Sequence, residues 1–146
     1  MKTISLKFNI LFLLFSLMGA GCEKDDVSQS VLDGKWILIG FGDGSTDVFR
    51  PEPDSEPKSS YVVFDNGEMV AHSVSNVVEN MQYSLIEENK ILFTTTGMET
   101  LIGGDTEWGL RFLTRISKVY EFEFKEDTLI LYYEDQKFMK FKKETK

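Results

Sequence analysis

The sequence predicts a mainly β domain of the α+β class: an antiparallel meander of about seven to eight strands, curved around a single helix. Three observations predict it. Short runs rich in β-branched and aromatic residues recur along the chain, separated by turn residues. One of them, Val119–Phe124, alternates apolar and acidic side chains with a period of two. A single segment, from Asp105 onward, instead spaces its apolar residues as one face of a helix.

The first strand is read at Lys35–Phe41, set off by Asp33-Gly34. The second is Ser60–Asp65, and Asn66-Gly67 then forms a hairpin turn, because a type I′ turn needs positive φ at both central positions. Glu68–Ser73 returns as its partner. Met81–Ile86 and Ile91–Thr96 make the next pair, joined at Glu87–Lys90. Trp108, Phe112, Leu113 and Ile116 share one helical face, with Asp105 or Thr106 as cap and Arg111, Arg115 and Lys118 in the middle and last turns. Gly109 costs this helix up to about 1 kcal/mol. Trp108 and Phe112 are read as core anchors. Val119–Phe124 puts Tyr120, Phe122 and Phe124 on one face and Glu121 and Glu123 on the other. Thr128–Tyr133 and Lys137–Lys142 complete the meander, with turns at Glu126-Asp127 and Glu134–Gln136.

Ahead of this domain lies an export signal. Lys2 and Lys7 precede the apolar run Phe8–Met18, and Gly19-Ala20-Gly21 then leads to Cys22, the one cysteine of the 146-residue chain. The run is too short to cross a bilayer, which takes about 20 apolar residues. A cysteine directly after small residues resembles the lipobox of bacterial lipoproteins, although Gly19 stands where Leu is usual. The resemblance implies cleavage before Cys22 and acylation of it, giving a signal peptide at 1–21 and a lipidated tether at 22–30. Two or more acyl chains hold a protein stably at a membrane, where one does not. Glu23-Lys24-Asp25-Asp26 resembles the signal that sends lipoproteins of one Gram-negative phylum to the outer face of the outer membrane. The expected location is therefore the outer membrane, lipid-anchored and facing the surface, with the periplasmic face as the alternative. Ser28-Gln29-Ser30 is read as the end of a flexible linker.

Removing residues 1–21 takes away two lysines and no acid, so 16 basic residues become 14 against 24 acidic ones, a net charge of −10. Such a chain is repelled by phosphate backbones, and nucleic acid is excluded as a partner. About 125 mature residues suit one domain with one core.

Leu32, Gly34 and Trp36 form an L-x-G-x-W pattern, and Asp127, Leu129 and Leu131 a closing D-x-L-x-L. Between them Thr95-Thr96-Gly97-Met98 leads to Glu107, Phe112-Leu113 and Val119-Tyr120. Over most of residues 31–143 this order resembles the META domain family, whose members include small lipoproteins associated with heat-shock and motility phenotypes. The resemblance implies a β-rich domain over 31–146. It supplies no catalytic chemistry, and the family's Gly-Cys-Asn after the second hairpin strand is replaced by Ser73-Val74-Ser75-Asn76.

No catalytic or metal-binding set emerges from the residues. His72 is the only histidine, and without a Gly-x-Ser-x-Gly elbow to present a serine it is read as a strand-face residue. Zinc needs several His or Cys ligands. Gly40–Ser45 is glycine-rich but lacks the Lys-Ser/Thr that cradles phosphate, and is read as a loop. Asp43, Asp47, Glu52, Asp54 and Glu56 lie on a stretch that also holds all three prolines, at 51, 53 and 57. Its spacing does not match a calcium loop, so no metal or cofactor is expected. A stiff exposed loop loses little entropy on binding, which makes Phe49, Arg50, Glu52, Asp54 and Glu56 the expected contact surface.

Two functions remain open. One is a membrane-tethered, non-catalytic accessory module that meets an envelope or extracellular protein or glycan. The other is a lipocalin-like carrier of a small apolar ligand, suggested by 12 Phe, 5 Tyr and 2 Trp and by strands apolar on both faces.

Overall fold

The computed structural model describes residues 28–57, 60–95, 97–100 and 103–145. Cys22 and Glu23-Lys24-Asp25-Asp26 lie outside them. A 3-10 turn, Gln29–Leu32, opens the fold, so the last residues of the expected linker belong to the domain. The strands are β1 (Gly34–Asp43), β2 (Val48–Pro51), β3 (Tyr61–Asp65), β4 (Glu68–His72), β5 (Val77–Glu87), β6 (Lys90–Phe93) and β7 (Met98–Thr100). The helix α1 (Glu107–Ile116) follows, then β8 (Glu121–Lys125), β9 (Thr128–Glu134) and β10 (Lys137–Lys143).

Eight of these strands close into a barrel. In the order β1-β3-β4-β5-β6-β8-β9-β10 each pairs antiparallel with the next, which is the neighbour relation of a meander. The expected open, curved sheet is nonetheless corrected, because β10 also pairs with β1, from Trp36–Lys143 to Asp43–Lys137. Closure follows from strand twist, and it pairs the outer edges of β1 and β10 with each other. Two strands lie off the ring. β7 pairs β5, and β2 takes the edge of β1 at Gly40–Asp43, beyond the stretch that pairs with β3.

The interior is packed with side chains, as an eight-stranded barrel allows. Leu38, Val62, Phe64, Met69, Met81, Leu129, Leu131, Met139 and Phe141 are at most 1% exposed. Each end is closed. At one, Leu32 is fully buried and its carbonyl accepts the Trp36 indole N–H at 2.8 Å. At the other, α1 lies with Trp108, Phe112, Leu113 and Ile116 buried, and Phe112 meets Phe141 edge-on at 6.1 Å. Of the expected Tyr120/Phe122/Phe124 face only Phe122 is buried. Tyr120 precedes the strand and Phe124 sits at the rim, each about two-fifths exposed.

A register shift between Leu38 and Gly40 in β1 changes which of its residues face inward. Ahead of it the even-numbered Trp36 and Leu38 point inward; after it the odd-numbered Phe41 does, opposite Met139. Gly40 and Gly42 then face outward beneath the rings of Phe49 and Phe138, which a Cβ at either position would meet at 2.3 and 2.0 Å. Gly40–Asp43 is thus strand, not loop, and its glycines serve ring packing.

Candidate functional site

Sequence reasoning treats Phe49, Arg50, Glu52, Asp54 and Glu56 as one surface, and the structure divides them. Phe49 and Arg50 lie on β2, so their side chains point to opposite faces. Phe49 covers Gly40 on the outside of the barrel, 44% exposed. Arg50 is the register partner of Phe41 and shares its face. The chain then folds back, with Glu52 N donating to the Ile39 carbonyl at 3.0 Å and Glu56 N to that of Pro53 at 3.0 Å. A hollow of about 450 Å³ there, lined by Ile39, Pro51, Glu52, Pro53 and Asp54, has no cationic wall.

Arg50 instead joins a groove at the helix end of the barrel. Its central cleft, about 450 Å³, lies between β2, α1 and the β9–β10 hairpin. Arg50, Arg111, Arg115 and Lys137 line it with Phe41, Tyr133, Asp43 and Glu134. It runs past Arg50 and Arg111 into a pocket of about 250 Å³ walled by Pro51, Pro53, Glu56, Glu107 and Trp108. On the other side it meets a hollow of about 380 Å³ at Thr114, Arg115, Lys118, Tyr133 and Glu134. The chain contains three arginines, Arg50, Arg111 and Arg115, and all three line this groove. In a chain of net charge −8 the central cleft carries four cations and two acids.

The cations are held by the floor. Arg111 pairs with Glu107 at 3.1 Å, one helical turn back, and lies 5.9 Å from the Phe41 ring centre. Arg115 donates to the Arg111 carbonyl at 3.0 Å and lies 5.8 Å from Phe41 and 5.5 Å from Tyr133. Lys137 bonds Glu134 at 2.9 Å. That bond, with Lys118 and Arg115 nearby, holds the Glu134 carboxyl below its usual range. The Ser45 hydroxyl does the same for Asp43. Two buried polar atoms of the groove's walls, Trp108 Nε1 and Glu56 Oε2, have no hydrogen-bond partner among the described residues.

The aim of Arg111 and Arg115 depends on how α1 is clamped. Thr106, not Asp105, is the cap, its hydroxyl accepting Gly109 N at 3.0 Å. Asp105 accepts from Thr106 N at 2.9 Å, from Asn76 Nδ2 at 3.0 Å and from the Ser73 hydroxyl. It ties the helix start to the β4–β5 turn. A Cβ on Gly109 would lie 2.4 Å from an Asp105 oxygen, so the glycine that weakens the helix permits the clamp.

His72 is on the outer wall, stacked on Tyr61 with centroids 4.5 Å apart. Burial lowers the pKa of its imidazole. Among the described residues no three His, Cys, Asp or Glu side chains converge to hold a metal, and no helix is long and apolar enough to cross a membrane.

Sequence reasoning missed Arg111, Arg115 and Trp108 as groove residues. The available signal was the i, i+4 spacing of the two arginines off the apolar stripe of the helix.

Comparisons place the fold and not a family. No family model matches the chain, and no curated protein matches it. A protein from Burkholderia xenovorans solved by NMR is similar in structure, with TM-score 0.59, 15% identity, 81% of this chain and 87% of that one covered. The crystal structure of a DUF4847 family protein from Bacteroides vulgatus aligns with TM-score 0.52 and 13% identity, over 86% of this chain and 99% of that one.

Proposed function

We propose that the chain is a lipid-anchored interaction module of the cell envelope, held at the outer membrane by acylated Cys22 and meeting its partner through the arginine-lined groove, without catalysis. The carrying observation is the placement of that groove. The chain enters the described fold at the Gln29–Leu32 turn, against the start of β1, while Phe41 and its cross-strand neighbour Arg50 lie toward the other end of that strand. Ten strand residues at about 3.3 Å each, tilted as barrel strands are, separate the two ends of the barrel by about 25 Å. An anchor at Cys22 therefore leaves the groove on the side away from the tether, and Lys24-Asp25-Asp26 directs the domain outward. The META resemblance belongs to this reading. The carrier alternative has less support, because the barrel interior is occupied by its own side chains and those of α1.

The test is protease accessibility on intact cells, with Lys24, Asp25 and Asp26 changed together to Ala as comparison. Cleavage of the wild type and protection of the triple variant are expected, together with release of a Cys22→Ser variant from the membrane fraction. Protection of both would overturn the surface address, and retention of Cys22→Ser would overturn the anchor.

A further inference from the structure

We propose that the groove binds an acidic sugar chain: rings that each carry a carboxylate beside free hydroxyls. This rests on the reading of the groove as the module's binding surface and names what it holds. The argument starts from unlike polar groups set side by side. Three guanidinium groups and the unpartnered Trp108 N–H are donors only. A guanidinium fork matches the planar carboxylate, offering two parallel N–H bonds to its two oxygens. Glu56, with a buried unpartnered oxygen, and Glu134, already bonded to Lys137, stand among these donors along the same walls. A ligand that presented only acceptors would satisfy the arginines and meet repulsion at the acids. Carboxylates next to hydroxyl donors satisfy both, and remove the cost of leaving a buried donor and acceptor without partners. Three neighbouring hollows share Arg50 and Arg111 on one side and Arg115, Tyr133 and Glu134 on the other, a spread that suits several linked rings better than one. An acidic peptide is the weaker fit, since its only regular donors, the backbone N–H groups, lie a side chain's length from the carboxylates that would meet the arginines, whereas a sugar acid sets hydroxyls directly beside its carboxylate.

Calorimetric titration of the full chain in detergent tests this with three probes: trigalacturonate, its fully methyl-esterified form, and a triglutamate peptide. Trigalacturonate is expected to bind, and the other two about tenfold more weakly or not at all. Arg50→Gln, Arg111→Gln and Arg115→Gln are each expected to weaken it about tenfold, the loss of a charged hydrogen-bond donor. Arg115→Lys weakens it too, because the charge remains while the fork is lost. The sharpest arm is Glu56→Ala. Removing an acid tightens the binding of any anion held by charge alone, whereas here it is expected to weaken trigalacturonate severalfold. Thermal melting of each variant is run alongside, so that a lost fold is not mistaken for a lost contact. Equal binding of triglutamate, or tighter binding by Glu56→Ala, overturns the sugar proposal and leaves the module reading intact. No binding by trigalacturonate also overturns it, and the cell-surface assay judges the module reading separately.

Discussion

Phe112→Ala tests whether the barrel is filled by its helix. The ring is fully buried, packs edge-on against Phe141 at 6.1 Å, and lies one turn from Trp108 on the buried face of α1. Truncating a buried Phe costs about 3–5 kcal/mol, transfer and cavity terms together, of which the aromatic pair itself supplies roughly 0.5–1.5. Against a net stability of about 5–15 kcal/mol, the variant remains folded at 25 °C unless the parent lies near the bottom of that range. Urea denaturation followed by tryptophan fluorescence measures the loss, with an unchanged slope as the sign that both states keep their compactness. The hole left behind is bordered by the Phe141 ring within the apolar core, so it stays dry and admits benzene. Benzene is expected to raise the stability of Phe112→Ala and to leave the wild type unmoved. A cost below about 1 kcal/mol, or benzene binding to the wild type, would refute the filled barrel and restore the carrier.

Asp105→Ala is expected to cost about 1.5–3 kcal/mol through loss of hydrogen bonds to a charged group. A double-mutant cycle with Asn76→Ala should return a coupling above about 0.5 kcal/mol, and additivity would show the clamp is not there. As the one histidine, His72 gives a single proton NMR titration, with a midpoint expected below 6.5. Burial lowers it first, and Lys35 adds to this while Glu79 opposes it. The unfolded chain then binds the proton more readily than the fold, so this residue makes stability fall as pH drops through 6.5 and below. A midpoint at or above that value would contradict the burial. Glu126 and Gln136 hold positive φ, 56° and 55°, in the last two hairpins. Gly at either site should stabilise by up to about 1 kcal/mol in thermal melts, the left-handed cost removed less the entropy added, and destabilisation would argue that those side chains make contacts of their own.

Elements with local signals were legible. Asn66-Gly67 turns with φ of 46° and 91°, as its hairpin requires, and α1 lies within the expected segment because its apolar spacing is its packing face. Signals that cross the chain were not. Closure depends on the β1–β10 register, and nothing in either strand says that its outer edge will be paired. β2 was lost inside an acidic, proline-bearing stretch, since it is exposed throughout and leaves no apolar pattern. The start of β5 was missed because Glu79 and Asn80 interrupt its alternation, Asn80 with φ of 58°. The site failed for the same reason. Its arginines lie 61 positions apart, on β2 and α1, and meet through the shift at Leu38–Gly40 that turns Phe41, and with it the Arg50 face, toward the helix.

That shift and the helix give the groove an energetic character a surface loop lacks. The ten residues of α1 do two things at once: Phe112, Leu113 and Ile116 fill the end of the barrel, and Arg111 and Arg115 rise from the same turns onto Phe41 and Tyr133. Arg111 is also bonded to Glu107, and Arg115 to the Arg111 carbonyl. The helix is fixed by its buried face and by Asp105 on Ser73 and Asn76. Part of the entropy of ordering two long side chains is thus already spent in folding, which lowers what a ligand must supply. The consequence is a coupling that can be measured. Damage to the Asp105 clamp, which lines none of the groove's hollows, should weaken trigalacturonate binding along with stability, while changes in the exposed β5–β6 turn at Glu88 should move neither.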